Sequence, residues 1–127
     1  MGTKNNKDNT TESVVDLAFK LSSLCYASAA NLNRPTQVSL GAEILKVSNK
    51  IVYYAKMCYK RKDGVDKIDM LTECGLKVEY LNCTIDNLHY IRAIPQSQYA
   101  AFSECIGRIE NGISNWMKFV RAKIEKN

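Results

Sequence analysis

Apolar residues recur at steps of three and four along most of this chain of 127 residues, and that spacing restricts the possible folds more than any other feature. Near the C-terminus Tyr99, Phe102, Ile106, Ile109, Ile113, Trp116 and Val120 step by 3, 4, 3, 4, 3, 4. Leu71, Cys74, Val78, Leu81, Ile85, Leu88 and Arg92 repeat the same steps. Val14, Leu17, Leu21, Leu24 and Ser28 form a shorter stripe, and Ile44, Ser48, Ile51, Ala55 and Cys58 form another. Such spacing keeps one face of a helix turned toward a neighbour, as in bundles with shallow crossing angles. A strand needs period two, and no useful length of the chain has it. The chain reads as all-α, with four helices.

Punctuation sets the expected boundaries. Asn9-Thr10-Thr11-Glu12 offers N-caps for the first helix, which should end near Asn31 because Asn33-Arg34-Pro35 disfavours its continuation. The second helix should start between Thr36 and Ser39 and run to about Lys62, before the turn at Asp63-Gly64. The third should open at Val65 or Asp66 and stop at Ile94-Pro95. The fourth should follow from Pro95-Gln96-Ser97 and continue to the basic tail near Lys126. Connections of roughly three to six residues make sequential helices antiparallel neighbours, so the expected architecture is an up-down-up-down four-helix bundle. Residues 1–10 are polar and read as a disordered tail, and residues 11–127 as the bundle.

Composition agrees with one small domain. Hydrophobic residues make up 46% and charged residues 24%, and the only prolines are Pro35 and Pro95, which argues against many short strands and turns. No apolar run approaches the ~18 residues of a membrane span, and residues 1–11 lack the apolar segment of a secretory signal. A cytoplasmic location is expected. The five cysteines, at 25, 58, 74, 83 and 105, include no Cys-x-x-Cys pair and fall within apolar-periodic segments, so all five read as small core residues.

The net charge of +5 is unevenly distributed. Residues 46–62 carry Lys46, Lys50, Lys56, Lys60, Arg61 and Lys62 and no acid. Residues 63–110 are net negative, and the C-terminal stretch turns basic again with Lys118, Arg121, Lys123 and Lys126 against Glu125. In an antiparallel bundle the ends of the second and fourth helices emerge together, joined by Lys4 and Lys7. That basic end fits a polyanion, whose phosphates release counterions when neutralised. Tyr53, Tyr54 and Tyr59 lie among the lysines, where aromatic rings can stack on unpaired bases. A second reading stays open: basic groups near helix C-termini complement the helix dipole by roughly 0.3–1 kcal/mol each without any ligand.

Catalytic patterns are missing. His89 is the only histidine, which leaves no multi-histidine metal site or Ser-His-Asp arrangement. It has conceivable nucleophile partners in Cys105 and Cys58, although nothing in the spacing pairs them. There is no phosphate-binding glycine loop and no Glu-x-x-His motif of di-iron bundles. Glu73, Glu79 and Asp86 face mostly different directions on the third helix. The expectation is a protein without catalytic residues, metal or cofactor. Gly107 and Gly112 fall inside the fourth helix, each costing about 1 kcal/mol relative to alanine, which calls for close packing either within the bundle or between subunits.

The order of these features resembles the accessory variability determinants of diversity-generating retroelements, within a larger group of small bacterial four-helix-bundle proteins. The resemblance covers roughly residues 13–122. It rests on Asn33-Arg34-Pro35 followed by Leu40-Gly41, on the leucine stripe of the third helix, and on Ile94-Pro95-Gln96-Ser97-Gln98-Tyr99. These lead into the stretch from Ile106-Gly107-Arg108 through Gly112 and Trp116 to Lys118. The resemblance implies a homopentameric barrel of bundles that binds nucleic acid, RNA or an RNA/DNA hybrid, and associates with the reverse transcriptase. It also implies a nucleic-acid role for Arg108 and Lys118, and packing roles for Trp116, Gly107 and Gly112. Lys46, Lys50, Lys56, Lys60, Arg61, Lys62, Arg108, Lys118, Arg121 and Lys123 are therefore the candidate nucleic-acid-binding residues. Several relatives carry arginines along the third helix, where this chain has Glu79 and Asp86 beside Lys77 and Arg92, so if the family's nucleic-acid face lies there this chain should use the second helix instead or bind more weakly. The alternative is a structural interaction bundle like those encoded by intervening sequences in ribosomal RNA genes. Those begin with a Val-Trp-Gln-like motif that Val14–Leu24 lacks.

Overall fold

The structure is a computed structural model that describes residues 12–126, and every regular element among them is helical. Helix α1 spans Val14–Ala30. Helix α2 is a continuous run of three pieces: a first turn Arg34–Thr36, a π-helical segment Gln37–Gly41 and the α-helix Ala42–Lys60. Helix α3 spans Val65–Tyr90 and α4 spans Gln96–Lys126. The expected tail at residues 1–10 lies outside the described residues.

The four stripes form the core. Ile44, Ile51, Leu71, Leu81, Ile85, Leu88, Phe102, Ile109 and Val120 are fully buried, and Leu24, Tyr99 and Trp116 are half-buried at the margins. Burying one such side chain contributes about 1.5–3 kcal/mol, so the stripes supply the force that associates the helices. Helix α1 packs against α2 and α4, and α3 packs against the same two, which leaves α2 and α4 at opposite corners. Ser28 Oγ of α1 donates to Gln98 Oε1 of α4 at 2.8 Å, and Cys105 Sγ donates to the Leu17 carbonyl at 3.6 Å. Between α2 and α3, Tyr80 Oη donates to Glu43 Oε2 at 2.9 Å and Cys74 Sγ to the Ile51 carbonyl at 3.9 Å. Between α3 and α4, Tyr99 Oη donates to Asp86 Oδ1 at 2.8 Å.

Four local expectations need correction. The cap of α1 is Ser13, whose Oγ accepts from the Asp16 N–H at 3.0 Å, rather than Glu12; residues 9–11 lie outside the described residues. Pro35 does not precede α2 but sits in its first turn, where a missing N–H costs nothing, and Asn33 Oδ1 caps that turn by accepting from the Thr36 N–H at 3.0 Å. The π segment follows because Ser39 Oγ donates to the Pro35 and Thr36 carbonyls, at 2.8 and 3.3 Å, and competes with the backbone ladder. Helix α3 stops at Tyr90, four residues before Ile94, because Arg92 turns left-handed at φ 62°. The Arg92 N–H then bonds the His89 carbonyl at 3.0 Å and the Ala93 N–H bonds Leu88 at 2.8 Å, the two bonds of a Schellman closure. Finally, Cys83 is exposed on α3, whereas Cys25, Cys58, Cys74 and Cys105 are buried.

Candidate nucleic-acid interface

The outward face of α2 carries the same periodicity as its buried face. Lys46, Lys50, Tyr53, Met57 and Lys60 step by 4, 3, 4 and 3 residues, and at 100° per residue they form a line opposite Ile44, Ser48, Ile51, Ala55 and Cys58. Lys46, Lys50, Tyr53 and Lys60 are exposed and Met57 is half-buried. At 1.5 Å per residue the line is about 21 Å long. No acidic residue occurs between Ile44 and Lys62, and Glu43 just before it is engaged by Tyr80.

The three tyrosines of this stretch separate into different roles. Tyr53 stands in the lysine line with 56% of its surface exposed. Tyr54 is half-buried, meets the Tyr53 ring in a T-shaped contact at 5.5 Å and 74°, and lies 6.0 Å from Lys77 Nζ of α3. Tyr59 is exposed but lies off the line, on the last turn of α2. Lys56 also leaves the line, with Nζ 6.0 Å from the Phe19 ring of α1.

At the end of α2, Lys60, Arg61 and Lys62 run directly into Asp63, and Asp63 Oδ2 accepts Lys123 Nζ of α4 at 3.0 Å. Asp63 Oδ1 also takes Lys67 Nζ at 3.1 Å, and Lys67 is buried with its ammonium 5.5 Å from the Trp116 ring. The hydrogen bond from Lys123, followed by that from Lys67, holds the Asp63 carboxyl below its ordinary value. The structure thus brings Lys123 to Lys60–Lys62, with Asp63 offsetting one of those charges. Asp63 and Lys67 were missed as parts of this end; their i,i+4 spacing was the available signal.

The remaining candidates lie elsewhere. Lys118 and Arg121 line a groove of about 420 Å³ between α3 and α4, together with Leu71, Gly75, Leu76, Glu79 and Glu110. Arg108 Nη2 pairs with Glu12 Oε1 at 2.9 Å on the α1–α4 side. Of the ten candidate residues, Lys46, Lys50 and Lys60 lie on the α2 line, Arg61, Lys62 and Lys123 gather at its end, and Lys56, Arg108, Lys118 and Arg121 lie on other faces.

No Cys–His pair is assembled. His89 Nε2 lies 3.0 Å from Gln96 Oε1, and its ring stacks on Tyr99 at 3.8 Å, while Cys105 is bonded to Leu17. Burial pushes the Cys25 and Cys74 thiols up to about 12 and the Cys58 thiol to about 11, and it raises Cys105 as well. Such thiols are scarcely ionised at neutral pH. Among the described residues no group of three His, Cys, Asp or Glu side chains is placed to hold a metal ion, and no helix is long and apolar enough to cross a membrane. No protein-family model, curated protein or solved structure matches the chain.

Proposed function

We propose that this chain is a cytoplasmic, non-catalytic accessory protein of a diversity-generating retroelement, binding template RNA or its cDNA and docking on the reverse transcriptase. The observation that carries the nucleic-acid part is the acid-free line of Lys46, Lys50 and Lys60 on the outward face of α2, continued by Arg61, Lys62 and Lys123 at its end. The retroelement assignment rests on the order of motifs from Asn33 to Lys118. An up-down-up-down topology belongs to the same reading, and the cross-helix contacts support it: moving from Leu17 to Ser28 on α1, the partner on α4 moves back from Cys105 to Gln98. Likewise, moving from Cys74 to Tyr80 on α3, the partner on α2 moves back from Ile51 to Glu43. A homopentamer completes the proposal.

The test is retention of a labelled RNA across a salt series. Each neutralised phosphate on a single strand contributes roughly −0.7 to the slope of log affinity against log salt. Reversing Lys46, Lys50 and Lys60 to glutamate should weaken binding at low salt by well over tenfold and make the slope shallower by about 2. Unchanged retention and slope in that variant would exclude the α2 face. The α3–α4 groove, with its exposed Leu76, favours a second reading in which the bundle serves only to dock another protein. Co-purification with a protein after nuclease treatment, without RNA affinity of the isolated chain, would select it.

A further inference from the structure

We infer that the α2 face is built for an unpaired polynucleotide strand, with Tyr53 as the ring on which a base stacks between flanking lysines; this rests on the nucleic-acid reading above. Three observations combine. Tyr53 is the one aromatic residue on the line Lys46, Lys50, Tyr53, Met57, Lys60, so a strand whose phosphates follow the lysines passes directly over it. Its ring is braced edge-to-face by Tyr54, which is itself half-buried, so the platform has a set angle while more than half its surface faces solvent. The line lies on a convex helix flanked by α1 and α3, and it presents single cations about 6 Å apart at Lys46 and Lys50. A duplex offers such a ridge phosphates and groove edges but no base faces, because those are stacked inside. A single strand offers both phosphates and base faces, and base–aromatic stacking is worth about 1–3 kcal/mol per base in any sequence. Neither lysine nor a stacked ring reads the ribose hydroxyl, so RNA and DNA strands should be treated alike.

Fluorescence anisotropy with labelled 20-nucleotide strands of RNA and DNA, and with the 20-base-pair duplex, separates the outcomes. The wild-type chain should bind both single strands more tightly than the duplex. Tyr53→Ala should weaken single-strand binding by roughly 5- to 150-fold, the range set by one stacked base, and leave duplex binding unchanged, while Tyr53→Phe should retain single-strand affinity. The double variant Lys46→Glu/Lys50→Glu should weaken binding to all three probes. Single-strand binding insensitive to Tyr53→Ala, equal affinity for strand and duplex, or a more than tenfold preference for one sugar would overturn the inference while leaving the nucleic-acid reading intact. Failure of every probe to bind would overturn both.

Discussion

Val14 of α1 and Gly112 of α4 face each other at close range. A Cβ on Gly112 would stand 2.8 Å from Val14 Cγ2, and valine's branched side chain has little freedom to move aside. Overpacking there costs about 1–3 kcal/mol, against about 1 kcal/mol of helix propensity gained, so Gly112→Ala should lower stability in urea denaturation and Val14→Ala should remove the clash. Gly107 lies five residues earlier on the same helix and has nothing within 4 Å of its would-be Cβ. Gly107→Ala should therefore raise stability by roughly 0.5–1 kcal/mol, and a loss instead would place a neighbouring subunit against it. The two glycines looked alike in the sequence, since both interrupt a helix at close spacing. Only the position of Val14, 98 residues away in the chain, separates them.

At the scale of the element, the buried stripes were legible and the helix ends were less so. From Leu71 to Leu88 every predicted stripe position is buried, because a 3–4 spacing allows only one face to meet the core. Arg92 continues that count yet lies exposed and outside α3. Pro95 constrains only Ile94, and the chain instead leaves the helix earlier through the left-handed Arg92, a choice that periodicity does not encode. An arginine in that conformation is disfavoured relative to glycine. Arg92→Gly should raise the urea midpoint by an amount equivalent to roughly 0.5–1 kcal/mol, and a fall would mean that the arginine side chain contributes more than its backbone conformation costs. The lysine line on α2 was equally readable as a run without acid, although its alignment with Tyr53 required placing each residue on the helix.

For the whole molecule, arrangement decided what local pattern left open. With α2 and α4 at opposite corners, the basic residues on those helices do not form one sheet of charge. Lys123 reaches the α2 end through Asp63, while Lys118 and Arg121 turn to the α3–α4 groove and Arg108 to Glu12. Beyond the single chain, the proposed homopentamer predicts a light-scattering mass five times that of one chain in solution. A monomer at all concentrations would remove the barrel from the proposal and leave the α2 face to act alone. The sequence by itself determined the all-helical character, the core stripes and the location of the charge run, because each depends on residues within a few turns of one another. Tertiary structure alone decided which cations of different helices share a face and which glycine is crowded. Those properties depend on partners drawn from distant parts of the chain, and only packing the four helices together sets the distances between them.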